Sequence, residues 1–427
     1  MRSYLEDRSA NIIGAEKSLE KNITKWCPQG SVLGPLFWNL IFDEAIEIRG
    51  RSGNWSIAFA DDLIVVVSAD SRSGIETKAN EVTRELSEWC KRQKLQLSKT
   101  KTEMILLKGF LDIKRPPTVK IGDKSLKMNS KVRYLGVHFG TRLNVTPHVD
   151  YITTKARNIF SGLVRLAKAH WGLNTRIIRI LYKGVVLAIL CYAAAGWAGM
   201  LNLHHHRKLR IAQRQSLLAV TRAYRTSSNS ALTVLAAEPP IHLVLRDRIA
   251  YYYLRKNLEF QIGNFHYTPS TQPITESKTT TIKNRIRDET IKTWQSEWDT
   301  SEQGGVTRTF FRNISRRMQL VNIGISHSAA QIITGHGRIK STLHRLKLSE
   351  SDQCRCGQPD TVEHIVYDCE EDEVERKELQ EKIRGEGVPW PCTLEDFAQE
   401  RTLGHLCKFA EAVIRKREGI EKIQSNT

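Results

Sequence analysis

Residues 56–67 read SIAFADDLIVVV, with Asp61 and Asp62 side by side between two largely apolar runs, the second of them β-branched. Runs of this kind predict strands covered on one or both faces. Adjacent aspartates repel each other, and an uncompensated carboxylate is costly to bury. The pair therefore belongs either at a hairpin turn, where Asp is common, or around a cation. The stretch alone leaves both open. In either case it predicts a strand–turn–strand unit, and the neighbouring elements set the fold class.

Upstream, apolar residues at 33, 37, 40, 41, 45 and 48 follow the helical period, so 31–48 is expected to be a helix with Ser31 as its N-cap. Downstream, 74–93 reads as an amphipathic helix, while 95–107 (LQLSKTKTEMILL) and 131–139 (KVRYLGVHF) read as strands. A small antiparallel sheet backed by helices follows, of α+β class. From about Asp150 to Lys256 the pattern is helical. Residues 261–285 are polar, rich in Thr and Ser, and read as a linker. A second helical region, 286–350, holds Trp294 and Trp298, and the tail from Glu370 is a charged amphipathic helix. The expected organisation is thus 1–145, a small sheet with helices; 146–260, a basic helical domain; the linker; 286–350, a helical connector; 351–372, a Cys/His module; and 373–427, a helical tail.

The 427 residues carry a formal net charge of +19, which makes a polyanion the first partner to consider. The charge is uneven: residues 1–353 hold 54 Lys+Arg against 29 Asp+Glu, and residues 354–427 hold 11 against 17. No carboxylate occurs between Asp150 and Glu238, a span with thirteen Lys or Arg, Lys155, Arg157, Arg165 and Lys168 among them. A solvated face normally mixes both signs, so a phosphate backbone along this span is expected. The eight cysteines are scattered, which suits a reducing intracellular compartment. Residues 184–203 are uncharged and long enough to span a bilayer, yet they are rich in Ala and Gly; a buried helix is expected, and no membrane partner.

Two further motifs carry chemistry. In residues 27–35, CPQGSVLGP, Gly30 allows close backbone approach, Gln29 offers a donor and an acceptor, and Ser31 opens a helix whose amides favour phosphate. Cys354-x-Cys356-x₇-His364-x₄-Cys369 supplies three thiolates and an imidazole, a donor set suited to one tetrahedral, structural Zn²⁺.

The order CPQGSVLGP, AFADD, SKTKTEM, VRYLGVHF resembles reverse transcriptases, in particular those of non-long-terminal-repeat retrotransposons. Trp294 and Trp298, the segment TGHG at 334–337 and the terminal Cys/His cluster resemble insect elements of the clade that inserts into ribosomal DNA. The resemblance implies a partial reverse-transcriptase palm over 1–145, a thumb over 146–260 and a zinc-knuckle-like module. It implies that Asp61 and Asp62 hold two Mg²⁺, with Phe59 where many relatives have Tyr, and that Lys101 lies near the triphosphate, Lys99 being second choice. Gln29, Gly30, Ser31, Phe59 and Ala60 would contact template and incoming deoxynucleoside triphosphate, and Tyr134, Leu135 and Gly136 would form the primer grip. The implied partners are an RNA template and a DNA primer, and the implied location is the nucleus. The family also takes a third carboxylate from an upstream D-x-x-x-A-F-D strand. Before Cys27 the acids are Glu6, Asp7, Glu16 and Glu20, and none ends such a strand. SYLEDR resembles the segment after that strand, so fingers, this Asp and an endonuclease are expected outside the chain, which by itself would polymerise negligibly. The other reading is a non-catalytic nucleic-acid-binding remnant or domesticated protein.

Overall fold

The computed structural model describes residues 6, 8–14, 18–23, 30–48, 54–107, 115–164, 174–273 and 275–425. The chain divides into two compact units: residues 1–134 with 139–143, and residues 135–138 with 144–427.

In the first unit β1 (Arg8–Ile13) and β2 (Ser18–Ile23) form an antiparallel hairpin, followed by α1 (Leu33–Glu47). Antiparallel β3 (Trp55–Phe59) and β4 (Asp62–Val66) come next, then α2 (Arg72–Arg92). Phe42 and Ala45 of α1 meet Val82, Leu86, Trp89 and Cys90 of α2, and Ala58, Leu63 and Val65 of the strands pack against them. The Phe42 and Trp89 rings meet edge to face at 5.6 Å, the geometry their quadrupoles favour. Ser71 caps α2, its Oγ accepting from the Gly74 amide at 3.1 Å, and Lys91 and Arg92 face the negative end of the helix dipole.

The strand expected over 95–107 shrinks to β5 (Met104–Ile105), which pairs parallel with β8 (Met128–Asn129). The cause is local. The carbonyl of Ser98 accepts from the amides of Lys101 and Thr102 and from the Thr102 hydroxyl, which turns SKTKT out of extension. Short β6 (Lys120–Ile121) and β7 (Lys124–Ser125) pair antiparallel, and β9 (Lys131–Tyr134) and β10 (Val137–Gly140) form a hairpin through which the chain passes into the second unit. The strands thus pair two by two rather than as one antiparallel sheet.

The second unit is helical: α3 (Thr146–Val164), α4 (Thr175–Leu181), α5 (Leu187–Leu190), α6 (Leu203–Thr221), α7 (Asn229–Ala236) and α8 (Ile241–Arg255). Thr175–Gly196 is long and apolar enough to cross a membrane by length and composition. The helix expected over 184–203 is broken: the chain turns at 191–193, with Ala193 at φ +51°, and continues in short 3₁₀ turns at Ala194–Gly196 and Ala198–Met200. Ile178, Tyr182, Val186, Leu187 and Leu190 are buried within the unit.

The described residues of 261–285, expected as a linker, are folded. The hairpin β11 (Phe260–Ile262) and β12 (Phe265–Tyr267) packs with α9 (Glu276–Asp299), and Phe260, Ile262, Tyr267, Ile282 and Ile286 form one apolar cluster with Ala250 and Leu254 of α8. The Thr-rich composition hid this, because Thr279, Thr280 and Thr281 turn their hydroxyls back onto carbonyls four residues earlier and continue the helix.

The largest core joins α9 with α10 (Gly305–Phe310), α11 (Ile314–Gln319), α12 (His327–Thr334), α14 (Glu373–Gly385) and α15 (Leu403–Ser425), α13 (Lys340–Arg345) lying between α12 and α14 in sequence. Trp294 and Trp298 are fully buried in it, each worth about 4–6 kcal/mol of transfer free energy. TGHG ends α12. Gly337 sits at φ +120°, and a Cβ there would come 2.3 Å from Oε1 of Gln331, which accepts from the Arg338 amide.

Candidate functional site

The turn between β3 and β4 has two residues, Ala60 and Asp61, with Phe59 opposite Asp62 in the register and Ala60 at φ +53°. Trp38 of α1 holds the turn, donating from Nε1 to the Ala60 carbonyl at 2.8 Å. Asp61, Asp62, Phe59 and Ala60 are all exposed, and neither Asp has a side-chain hydrogen bond or ion pair among the described residues. Tyr134 is near enough that its phenol is pushed up, first by burial and then by the Asp62 carboxylate. Just ahead of α1, whose N-cap position is Val32, the Ser31 hydroxyl accepts from the Gly34 amide at 3.2 Å, beside Gly30 at φ +85°. Gln29 lies outside the described residues. Lys99 is held by Asp123 at 2.7 Å, whereas exposed Lys101 makes no ion pair among the described residues.

Leu135 and Gly136 form the tip of the β9–β10 hairpin, with φ of +44° and +81°. Positive φ at both central residues matches the hairpin to the right-handed strand twist. Tyr192, from the break in the apolar stretch, donates to the Leu135 carbonyl at 3.0 Å, and a Cβ on Gly136 would lie 2.9 Å from its ring. The Tyr192 carbonyl in turn accepts from Nε1 of buried Trp197 at 2.7 Å. On α3, exposed Lys155 lies 5.7 Å from the Tyr151 ring centroid, and Arg157 is exposed.

Cys354, Cys356, His364 and Cys369 converge, their four donor atoms all within 4.8 Å of one another. Sγ of Cys354 is 3.6 Å from Sγ of Cys369, and Sγ of Cys356 is 3.2 Å from Nε2 of His364. A turn at Gly357, where its amide donates to the Cys354 carbonyl at 3.1 Å, brings the first pair together. A π turn, His364–Asp368, carries the histidine, and the Cys369 amide closes onto the His364 carbonyl at 2.8 Å. Burial pushes the Cys354 and Cys369 thiols up, so the thiolates a metal needs would have to be stabilised by that metal. Buried Asp360 and Asp372 tie the module to the core through Arg417, at 2.8 and 3.1 Å.

Residues 1–139 match the family described as reverse transcriptase (RNA-dependent DNA polymerase). A Pol polyprotein from type-1 retrotransposable element R1 4 of Nasonia vitripennis is 36% identical over 329 residues, which cover 73% of this chain and 82% of that one. The chain belongs to the Pol polyprotein family of R1 retrotransposable elements. An R1 Pol polyprotein of Bradysia coprophila is 31% identical over 86% of this chain, and a putative 115 kDa protein in R1DM of Drosophila melanogaster is 28% identical over 98%. The R1-family chain spans 36% and 41% of the lengths of these two. No solved structure matches it.

In this R1-family chain not every cation of the acid-free span is free for phosphate. Arg179 and Lys183 pair with buried Glu238 at 2.5 and 3.0 Å, and Lys208 pairs with Asp150. Arg214 donates to the Asn229 side chain and to the carbonyls of Arg225 and Ser227. Arg165 and Lys168 lie outside the described residues. Sequence reading missed Trp38, Tyr192, Asp360 and Arg417. All four act through contacts 22 or more residues apart in sequence, which no local pattern announces.

Proposed function

We propose that the β3–β4 turn is the metal-binding turn of an RNA-directed DNA polymerase, with Asp61 and Asp62 as ligands of Mg²⁺. The observation that carries this reading is the pair of adjacent, exposed carboxylates, with no side-chain hydrogen bond or ion pair among the described residues, at a tip fixed by Trp38. Hard oxygen ligands of this kind suit Mg²⁺. Divalent metal held by Asp61 and Asp62 would supply the charge that activates a primer 3′-hydroxyl and neutralises the triphosphate. The chain's own side chains orient the reactants. Gln29, Gly30, Ser31, Phe59 and Ala60 face template and incoming nucleotide, Lys101 offers a charge to the triphosphate, and Tyr134, Leu135 and Gly136 grip the primer. Lys155, Arg157, Arg165 and Lys168 contact the template–primer backbone.

The test is primer extension on RNA by the element polyprotein that carries this chain. Asp61→Ala is expected to lower extension by several orders of magnitude. Wild-type extension by that variant refutes the assignment. Template–primer binding with no extension in the unmutated polyprotein favours the non-catalytic reading. In the same proposal the Cys354, Cys356, His364 and Cys369 donors hold a structural Zn²⁺. Their donor type and mutual spacing fit a tetrahedral ion with Zn–S of about 2.3 Å. Metal analysis is expected to give about one zinc per chain, lost in C354S/C356S; an equally stable, metal-free wild type rejects the site.

A further inference from the structure

A cavity of about 520 Å³ opens between the C-terminal end of α8 and the N-terminal turns of α9, outside the acid-free span. Arg255, Asn257, Ser270, Thr271, Thr279 and Lys283 are among its lining residues, and no carboxylate is. The walls are set by hydrogen bonds. Asn257, at φ +51°, donates from Nδ2 to the Ser270 carbonyl at 2.7 Å, and its Oδ1 accepts from the Tyr267 hydroxyl at 2.7 Å and the Ser270 amide at 2.9 Å. The apolar cluster under β11, β12 and α9 fixes the floor. Arg255 and Lys283 are exposed and make no ion pair among the described residues.

The same chemistry continues along α8. Arg248, Tyr252 and Arg255 are spaced four and three residues apart, so they share one helical face, and all three are exposed. The stripe runs about 10 Å, the length of roughly three stacked nucleotides of one strand. Three acids near this face have partners of their own, and exposed Glu276 stands in the first turn of α9. Asp247 accepts from the Thr290 hydroxyl at 2.5 Å and is pushed up to about 6 by burial. Glu289 accepts from the Asn264 amide and pairs with Lys292, and Glu259 pairs with His266 across the β11–β12 hairpin.

We propose that this groove and stripe bind a single-stranded nucleic acid, with Arg248, Arg255 and Lys283 on successive phosphates and a base stacked on Tyr252. Exposed cations, two of them without an ion pair among the described residues, a preorganised polar cleft and an exposed aromatic are the parts of a sequence-tolerant strand-binding surface. This second contact lies apart from the catalytic turn, and its test reads binding alone, so its failure would leave the polymerase reading untouched.

The experiment is fluorescence anisotropy of the whole chain with a labelled single-stranded RNA and with a duplex, each titrated over salt. For R255E/K283E the log–log salt slope on single strand is expected to become shallower by roughly 1.4. Tyr252→Ala is expected to weaken single-strand binding about tenfold and duplex binding little. The thermal melts of these variants should match wild type, since the altered side chains are exposed. Wild-type slope in R255E/K283E overturns the proposal. So does an equal loss on duplex in Tyr252→Ala, or displacement of the strand by millimolar mononucleotide, which would mark a nucleotide pocket.

Discussion

At the scale of single residues, two positions combine backbone and side-chain constraints that the sequence shows only in part. The strand expected over 131–139 is broken by a turn at Leu135-Gly136, and Tyr192 closes over that turn. Gly136→Ala adds a methyl at φ +81° and 2.9 Å from the Tyr192 ring, and should destabilise the hairpin by about 1–3 kcal/mol, measured by denaturant midpoint. Tyr192→Phe keeps the ring and loses one hydrogen bond, for about 1 kcal/mol. If the hairpin grips a primer, both variants should raise primer dissociation more than they alter incorporation per bound primer. Equal effects on both would remove that role. His148 is fully buried against Trp197, ring centroids 4.9 Å apart, and neither ring nitrogen has a hydrogen-bond partner among the described residues. Burial, with His138 as the lesser cause, lowers its pKa to about 4. The unfolded chain therefore binds the extra proton between about pH 6.5 and 4, so His148 supports the fold fully above 6.5 and loses that support as pH falls through the window. Asp247, raised to about 6, acts in the opposite sense. His148→Phe should make stability less acid-sensitive by about 3 kcal/mol at pH 4 in urea melts; an unchanged pH profile contradicts this account.

At the scale of elements, legibility followed periodicity. The helix expected over 31–48 is Leu33–Glu47 and that over 74–93 is Arg72–Arg92, because each buries a stripe against the other. The strands around Asp61-Asp62 fall where the apolar runs placed them. Failures came where side chains bond to local backbone: Ser98 and Thr102 turned a reading of strand into a turn, and the threonines of α9 disguised a helix as a linker. The Cys/His module was legible as donors but not as an anchored element. Arg417, from α15, bridges Asp360 and Asp372 on either side of the cluster. Removing one partner leaves buried carboxylates unpaired, so Arg417→Met should cost about 3–5 kcal/mol and free α15 for proteolysis. Retained protection of α15 in that variant would show the bridge to be dispensable.

At the scale of the whole molecule, composition announced a polyanion partner, and the internal pairs of Arg179, Lys183, Lys208 and Arg214 show that charge count overstates the free surface. Exposed Lys155 and Arg157 remain, and K155E/R157E should make the duplex salt slope shallower by roughly 1.8 without changing sequence preference. A slope unchanged in that variant would leave α3 out of backbone contact. One feature bears on how the molecule is made. The face of α12 that holds Ile332 and Ile333 is covered by α15, whose Leu406, Ala410 and Val413 come some seventy residues later. During synthesis at about 5–20 residues per second, that face waits roughly 4–14 s for its cover. A ribosome-bound chain paused between α12 and α15 should therefore be a preferred client of holdase chaperones, and one paused beyond residue 414 should not.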